Sequence, residues 1–152
     1  MRLESGTDSC ATAVLDAAVL VVRSVRREIA RVRPAGLSIT QVRGLGVVRD
    51  HPECTLSELA DSIGLGAPTA SKFMRDLATR GLVQRRACLE DRRRALFRLT
   101  PRGRVALRVA LDHTRRHIAG RLVALSHSER ESLEAAMRTL HTIFLPCGRP
   151  QS

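Results

Sequence analysis

The sequence predicts a mainly α-helical fold with one small β-hairpin, on three observations. Apolar residues recur at helical spacing through most of the chain, a two-strand pattern interrupts them between Leu82 and Leu99, and Ser, Thr, Pro and Gly stand where helices should begin and end. At 152 residues and 43% apolar content the chain suits one ordinary domain with a packed core, which excludes wholesale disorder. No run approaches the length of a membrane span, and the opening MRLESGTDSC lacks the basic-then-apolar order of a signal peptide. A cytoplasmic chain without a membrane partner is expected.

In chain order, Ala13, Val14, Ala17, Ala18, Val21, Val25, Ile29 and Val32 form a long helical stripe ending before Pro34, with Arg23, Arg26, Arg27, Arg31 and Arg33 on its other sides. The next helix opens with a capping box, Ser38 to Gln41, and a hydrophobic staple, Leu37 to Val42, and stops before Pro52. Gly44 and Gly46 inside it cost helix propensity and point to close helix packing. Thr55 and Glu58 repeat the box, with Cys54 and Leu59 as staple, for a short helix ending at Ile63 with Gly64 as its stop.

The central stretch follows, residues 64–100. Ala70, Phe73, Met74 and Leu77 make a buried stripe, Gly66 caps, Pro68 lies in the first turn, and Gly81 is the left-handed stop. Pro68, Thr69, Ser71, Lys72, Arg75 and Thr79 then point outward, with Asp76 beside them. Short hydroxyls and cations suit a duplex groove: they donate to phosphate oxygens, and an arginine grips guanine with two hydrogen bonds. Residues 82–87 and the alternating Ala95, Phe97 and Leu99 read as two strands around a polar tip, Glu90-Asp91-Arg92-Arg93-Arg94. Such a tip can place one guanidinium in the minor groove while others hold phosphates, with Asp91 bracing an arginine. Arg93 is the candidate for insertion, although spacing does not rank Arg92, Arg93 and Arg94. The short helix, the Gly-Leu-Gly turn and the longer helix have the proportions of a helix-turn-helix.

These residues resemble the winged helix-turn-helix of the multiple antibiotic resistance regulator (MarR) family. The resemblance rests on Gly64-Leu65-Gly66-Ala67-Pro68-Thr69-Ala70-Ser71-Lys72, Leu77, Arg80-Gly81-Leu82-Val83, Asp91-Arg92-Arg93 and Leu99-Thr100-Pro101-Arg102-Gly103. Order and spacing match from Leu37 to Gly103. One departure is Gly66, where the family often has a serine cap. The fold class expected is thus mainly α with a small β-wing: a winged helix-turn-helix lobe over residues 37–103, an N-terminal helix over 1–36 and C-terminal helices over 104–145 forming a dimerisation layer, and a loose tail over 146–152.

After the wing, Thr100 and Pro101 start a long helix with Leu107, Leu111, Ile118, Leu122 and Leu125 in one stripe, widened by Val105 and Val109. Ser126 and Glu129 box a final helix that carries Leu133, Met137, Leu140 and Phe144. These stripes exceed what one small lobe needs for its cover. A homodimer is inferred, as the resemblance also implies, with two recognition helices about 34 Å apart on a pseudo-palindromic operator in double-stranded DNA.

Net charge +11 favours a polyanionic partner. Lys72 is the only lysine, however, so arginine-rich composition accounts for part of that charge, and clustering at the wing argues better than the total. With no Trp or Tyr and three Phe, no stacking platform for single strands is available, which favours duplex DNA. No nucleophile elbow, phosphate loop or paired catalytic carboxylates indicate an enzyme, and no cofactor is expected. A protein-binding winged-helix module is the alternative class, and the basic recognition face argues against it.

The resemblance further implies repression relieved by a small-molecule or stress signal. Val14, Val25, Leu45 and Leu111 are candidates to line an effector pocket, undistinguished from plain core, so ligand-binding residues are left unassigned. Cys10, Cys54, Cys88 and Cys147 form no C-x-x-C pair and read as free thiols. Cys10 is placed like the peroxide-sensing cysteine of one family branch, without the tyrosines that activate it there. His113 and His117 stand i, i+4, the spacing of a shared metal and of a zinc-responsive branch, yet only Glu28 and Cys54 offer further ligands. Exposed histidines and no metal are the expectation.

Overall fold

Six helices and three short strands account for most of residues 5–87 and 95–144, which the computed structural model describes. Helix α1 (Ser5–Val32) ends where Arg33 turns left-handed at φ 46° and Pro34 opens a single 3-10 turn, Pro34–Gly36, because proline cannot continue the α-helical hydrogen bonding. Helix α2 (Ile39–Asp50) begins with the expected box: the Gln41 amide donates to Ser38 Oγ at 3.2 Å, and the Ser38 amide donates to Gln41 Oε1 at 2.9 Å. Helix α3 (Leu56–Ile63) has the same device, with the Thr55 amide donating to Glu58 Oε2 at 2.7 Å and the Glu58 amide to Thr55 Oγ1 at 3.3 Å. Gly64 stops it at φ 70°, a conformation glycine adopts without a Cβ penalty.

Helix α4 (Ala67–Thr79) completes the helix-turn-helix, and Gly81 at φ 68° turns the chain into strand β2 (Val83–Ala87). Strand β3 (Ala95–Leu99) returns antiparallel to β2, with Val83 opposite Leu99 and Ala87 opposite Ala95. A third strand, β1 (Cys54–Thr55), was not expected from the sequence. It pairs with the other edge of β3, Cys54 opposite Phe97 and Thr55 opposite Leu96, so the order is β1-β3-β2. Thr55 therefore serves as strand residue and helix cap at once.

The core of this lobe joins α2, α3, α4, the sheet and the start of α5 (Pro101–Leu122). Leu37, Leu45, Leu59, Met74 and Leu77 are fully buried, and Val83, Phe97, Leu99 and Leu107 close around them. Burying each of the larger side chains stabilises the fold by about 1.5–3 kcal/mol. The two helix glycines differ: a Cβ on Gly44 would lie 2.6 Å from the Phe73 ring, so α2 and α4 approach closely there, whereas Gly46 has nothing within 4 Å. Close packing thus explains Gly44 and not Gly46.

Contacts gather into two units, Met1–His117 and Ile118–Ser152, with α5 continuing from the first into the second. The second unit contains α6 (His127–Phe144), boxed by Ser126 and Glu129 as expected, on which no side chain is buried. No helix among the described residues is long and apolar enough to cross a membrane.

Candidate nucleic-acid interface

Helix α4 turns one face in and one face out. Ala70, Met74 and Leu77 are buried at the 3.6-residue spacing, which leaves Pro68, Thr69, Lys72, Arg75, Asp76 and Thr79 exposed and Ser71 and Phe73 half-buried. The structure therefore brings Pro68, Thr69, Ser71, Lys72 and Arg75 onto one helix. Gly66 at the N-cap provides no side-chain hydrogen bond, so the departure from a serine cap does remove one contact. Asp91, Arg92, Arg93 and Arg94 at the wing tip lie outside the described residues, as do Cys88 and Cys147.

Two arginines that the sequence reading passed over stand on the described part of the wing. Arg85 and Arg86 are exposed on β2, and Arg85 lies opposite Phe97 on the side of the sheet that faces α4. Arg85, Ser71, Met74, Arg75 and Phe97 line a cavity of about 260 Å³ between helix and wing. Strand alternation carries the signal for this placement, because Arg85 follows the buried Val83 by two residues.

The described basic groups of α4 and β2 stand without acid partners. Among the described residues, Lys72, Arg75, Arg85 and Arg86 have no carboxylate partner, whereas Arg49 and Arg98 do. Arg49 holds Asp50 at 2.7 Å, which keeps the Asp50 carboxyl below the usual aspartate range, and Arg98 lies 3.6 Å from Glu53. Arg49 and Arg98 line a second cavity of about 470 Å³ with Gln84, Thr100 and Arg104. The one acid on the outer surface of α4, Asp76, accepts a hydrogen bond from Gln41 Nε2 at 2.9 Å.

The sequence-derived candidates for effector lining do not share a cavity described above. Leu45 belongs to the lobe core, Val14 and Val25 are half-buried, and Leu111 is exposed. Cys10 is exposed, and Cys54 is buried, which pushes its thiol pKa up and away from the thiolate that redox chemistry needs.

The histidine expectation is corrected. His113 and His117 are half-buried rather than exposed, because Glu28 of α1 stands between them, 3.0 Å from His113 Nε2 and 3.8 Å from His117 Nδ1. Ser24 Oγ shares a hydrogen bond of 3.0 Å with His117 Nε2, and Arg31 donates to Glu28 at 2.9 Å. The Arg31 hydrogen bond first, opposed by desolvation and reinforced by His113, holds the Glu28 carboxyl below its ordinary pKa. No three His, Cys, Asp or Glu among the described residues are grouped to hold a metal ion.

The fold and this surface define a winged helix-turn-helix protein. Residues 37–95 match the model of the MarR family. The crystal structure of RV1404 from Mycobacterium tuberculosis is similar at 28% identity and TM-score 0.76, covering 97% of this chain and 100% of that one. A MarR family protein from Bacillus stearothermophilus shares the fold at 19% identity and TM-score 0.74, over 93% of this chain and 97% of that one. A MepR mutant of S. aureus bound to an oligodeoxyribonucleotide shares it at 18% identity and TM-score 0.61, over 89% and 97%. No curated protein matches the chain by sequence.

Proposed function

We propose that the chain is a sequence-specific regulator of transcription that reads double-stranded DNA with the outer face of α4 and grips the flanking backbone with its wing. The observation that carries this reading is the gathering of Lys72, Arg75, Arg85 and Arg86 on α4 and β2, exposed and without a carboxylate partner among the described residues. Thr69, Ser71 and Lys72 donate to phosphates, and Arg75 reads base edges. At the wing tip Arg93 enters the minor groove with Asp91 as brace and Arg92 and Arg94 on phosphates. The similar fold of the MepR mutant, which is bound to an oligodeoxyribonucleotide, supports the same use of this lobe.

The active species in this reading is a homodimer. Helix α1 leaves Leu15, Val19, Leu20 and Val22 more than half exposed, and α6 leaves Met137, Ile143 and Phe144 uncovered, apolar surface that a second copy would remove from water. Two recognition helices related by a twofold axis then engage half-sites about one helical turn apart, roughly 34 Å. Repression released by a small-molecule or stress signal is the regulatory mode, on family resemblance.

Selection of bound fragments from the source genome by the purified protein tests the proposal. Recovery of a recurrent inverted repeat, bound with an affinity that falls steeply with salt, is the expected result. Equal recovery of all fragments, or no binding at low salt, would refute it.

A further inference from the structure

The acid on the recognition helix presents a problem for a DNA reader. Asp76 stands four residues after Lys72 and four before Arg80, so on a bare helix either cation could be drawn into an i, i+4 pair and lost to phosphate. Neither pair forms. Arg80 instead donates to the Gly36 carbonyl at 3.1 Å, Lys72 is exposed without a partner, and Asp76 Oδ2 takes the Gln41 Nε2 donor at 2.9 Å.

Gln41 uses both ends of its amide. Its Oε1 accepts the Ser38 amide in the capping box of α2, which fixes the plane of the group and aims its NH₂ at α4. Glutamate satisfies a capping box as well as glutamine does, but it has no N–H to give Asp76. Capping therefore accounts for an acid or an amide at position 41, and the Asp76 bond accounts for the amide alone.

We propose that Gln41 is a positioning residue for DNA binding: it holds the Asp76 carboxylate toward α2 and so keeps the Lys72 ammonium free for a phosphate. Being neutral, Gln41 occupies Asp76 without spending a cation of the interface. The inference rests on the DNA-reading assignment of Lys72 made above.

The variant Gln41→Glu separates the two roles, since it keeps the cap and removes the donor. Binding of wild-type protein, Q41E, K72M and the double variant to a duplex recovered by genomic selection is measured across salt concentrations, with thermal unfolding as the control for folding. Q41E should unfold like wild type yet bind on the order of fivefold more weakly, the scale of one lost interaction, with a salt slope smaller by about one phosphate. In the K72M background Q41E should change affinity by less than about twofold, because the two substitutions act through one contact. Q41E binding like wild type, or weakening the K72M protein as much as the wild type, would overturn the inference, the second outcome assigning the effect to the added charge. If Q41E fails to fold, Gln41→Met, which lacks both ends of the amide, takes its place with the same K72M comparison. K72M matching wild type in affinity and slope would instead remove Lys72 from the interface, and the inference with it.

Discussion

Gly103 sits against the backbone carbonyl of Leu82 so closely that a Cβ at position 103 would overlap the carbonyl oxygen. The approach ties the first turn of α5 to the root of the wing. Thr100 reinforces it, since its hydroxyl donates to the Gly81 carbonyl at 2.6 Å and accepts the Gly103 amide at 2.9 Å. The Leu-Thr-Pro-Arg-Gly run at residues 99–103 is thus a mechanical joint: strand, cap, helix start and close approach follow one another without a spare residue.

Gly103→Ala should accordingly destabilise the protein by about 1–3 kcal/mol, the range for overpacking, because the obstructing atom is backbone and cannot rotate away. Urea unfolding followed by circular dichroism measures it. Gly46→Ala, which meets nothing within 4 Å, should be neutral or slightly stabilising in the same assay.

The Glu28 cluster predicts an acid-sensitive contribution to stability. Its carboxyl has a lowered pKa in the folded protein, through the Arg31 hydrogen bond above all, so the contribution is complete above the ordinary glutamate value of about 4.3 and is lost as pH falls through the lowered one. Melting temperature should therefore fall on acidification in that window, and Glu28→Gln should flatten the fall. A parallel curve for the variant would show that other carboxylates govern the acid limb.

Arg85, exposed on β2 beside α4, extends the proposed interface beyond the wing tip. Arg85→Ala should weaken binding to every duplex by a similar factor and reduce the salt slope by about one, the signature of a phosphate contact rather than a base contact. Fluorescence anisotropy with selected and random duplexes at several salt concentrations distinguishes the two.

Local chemistry explains what could be read in the sequence. The capping boxes Ser38–Gln41, Thr55–Glu58 and Ser126–Glu129, the glycine stops at 64 and 81, and the inward stripe of α4 each depend on residues within one or two turns, and each stands as expected except that Phe73 of the stripe is half-buried. What escaped depends on partners far along the chain. Strand β1 is two residues long and exists only because Phe97 and Leu96 lie beside it. His113 and His117 looked solvent-exposed because Glu28, 85 residues from His113, cannot be associated with them by spacing. Gln41 showed its capping oxygen, and its second bond waits on Asp76, 35 residues away. Arg85 was within reach, since strand alternation from Val83 places it, but the denser arginine run at the tip carried the more obvious charge.

The central claim is that the outer face of α4 reads base sequence, and competition between a selected fragment and random duplex at one fixed salt concentration tests it most directly, using wild-type protein and Arg75→Ala. Loss of a two-bond arginine contact should cut the preference for the selected fragment by about tenfold or more while thermal unfolding stays unchanged, since Arg75 is exposed. A variant that kept the wild-type preference would contradict the account.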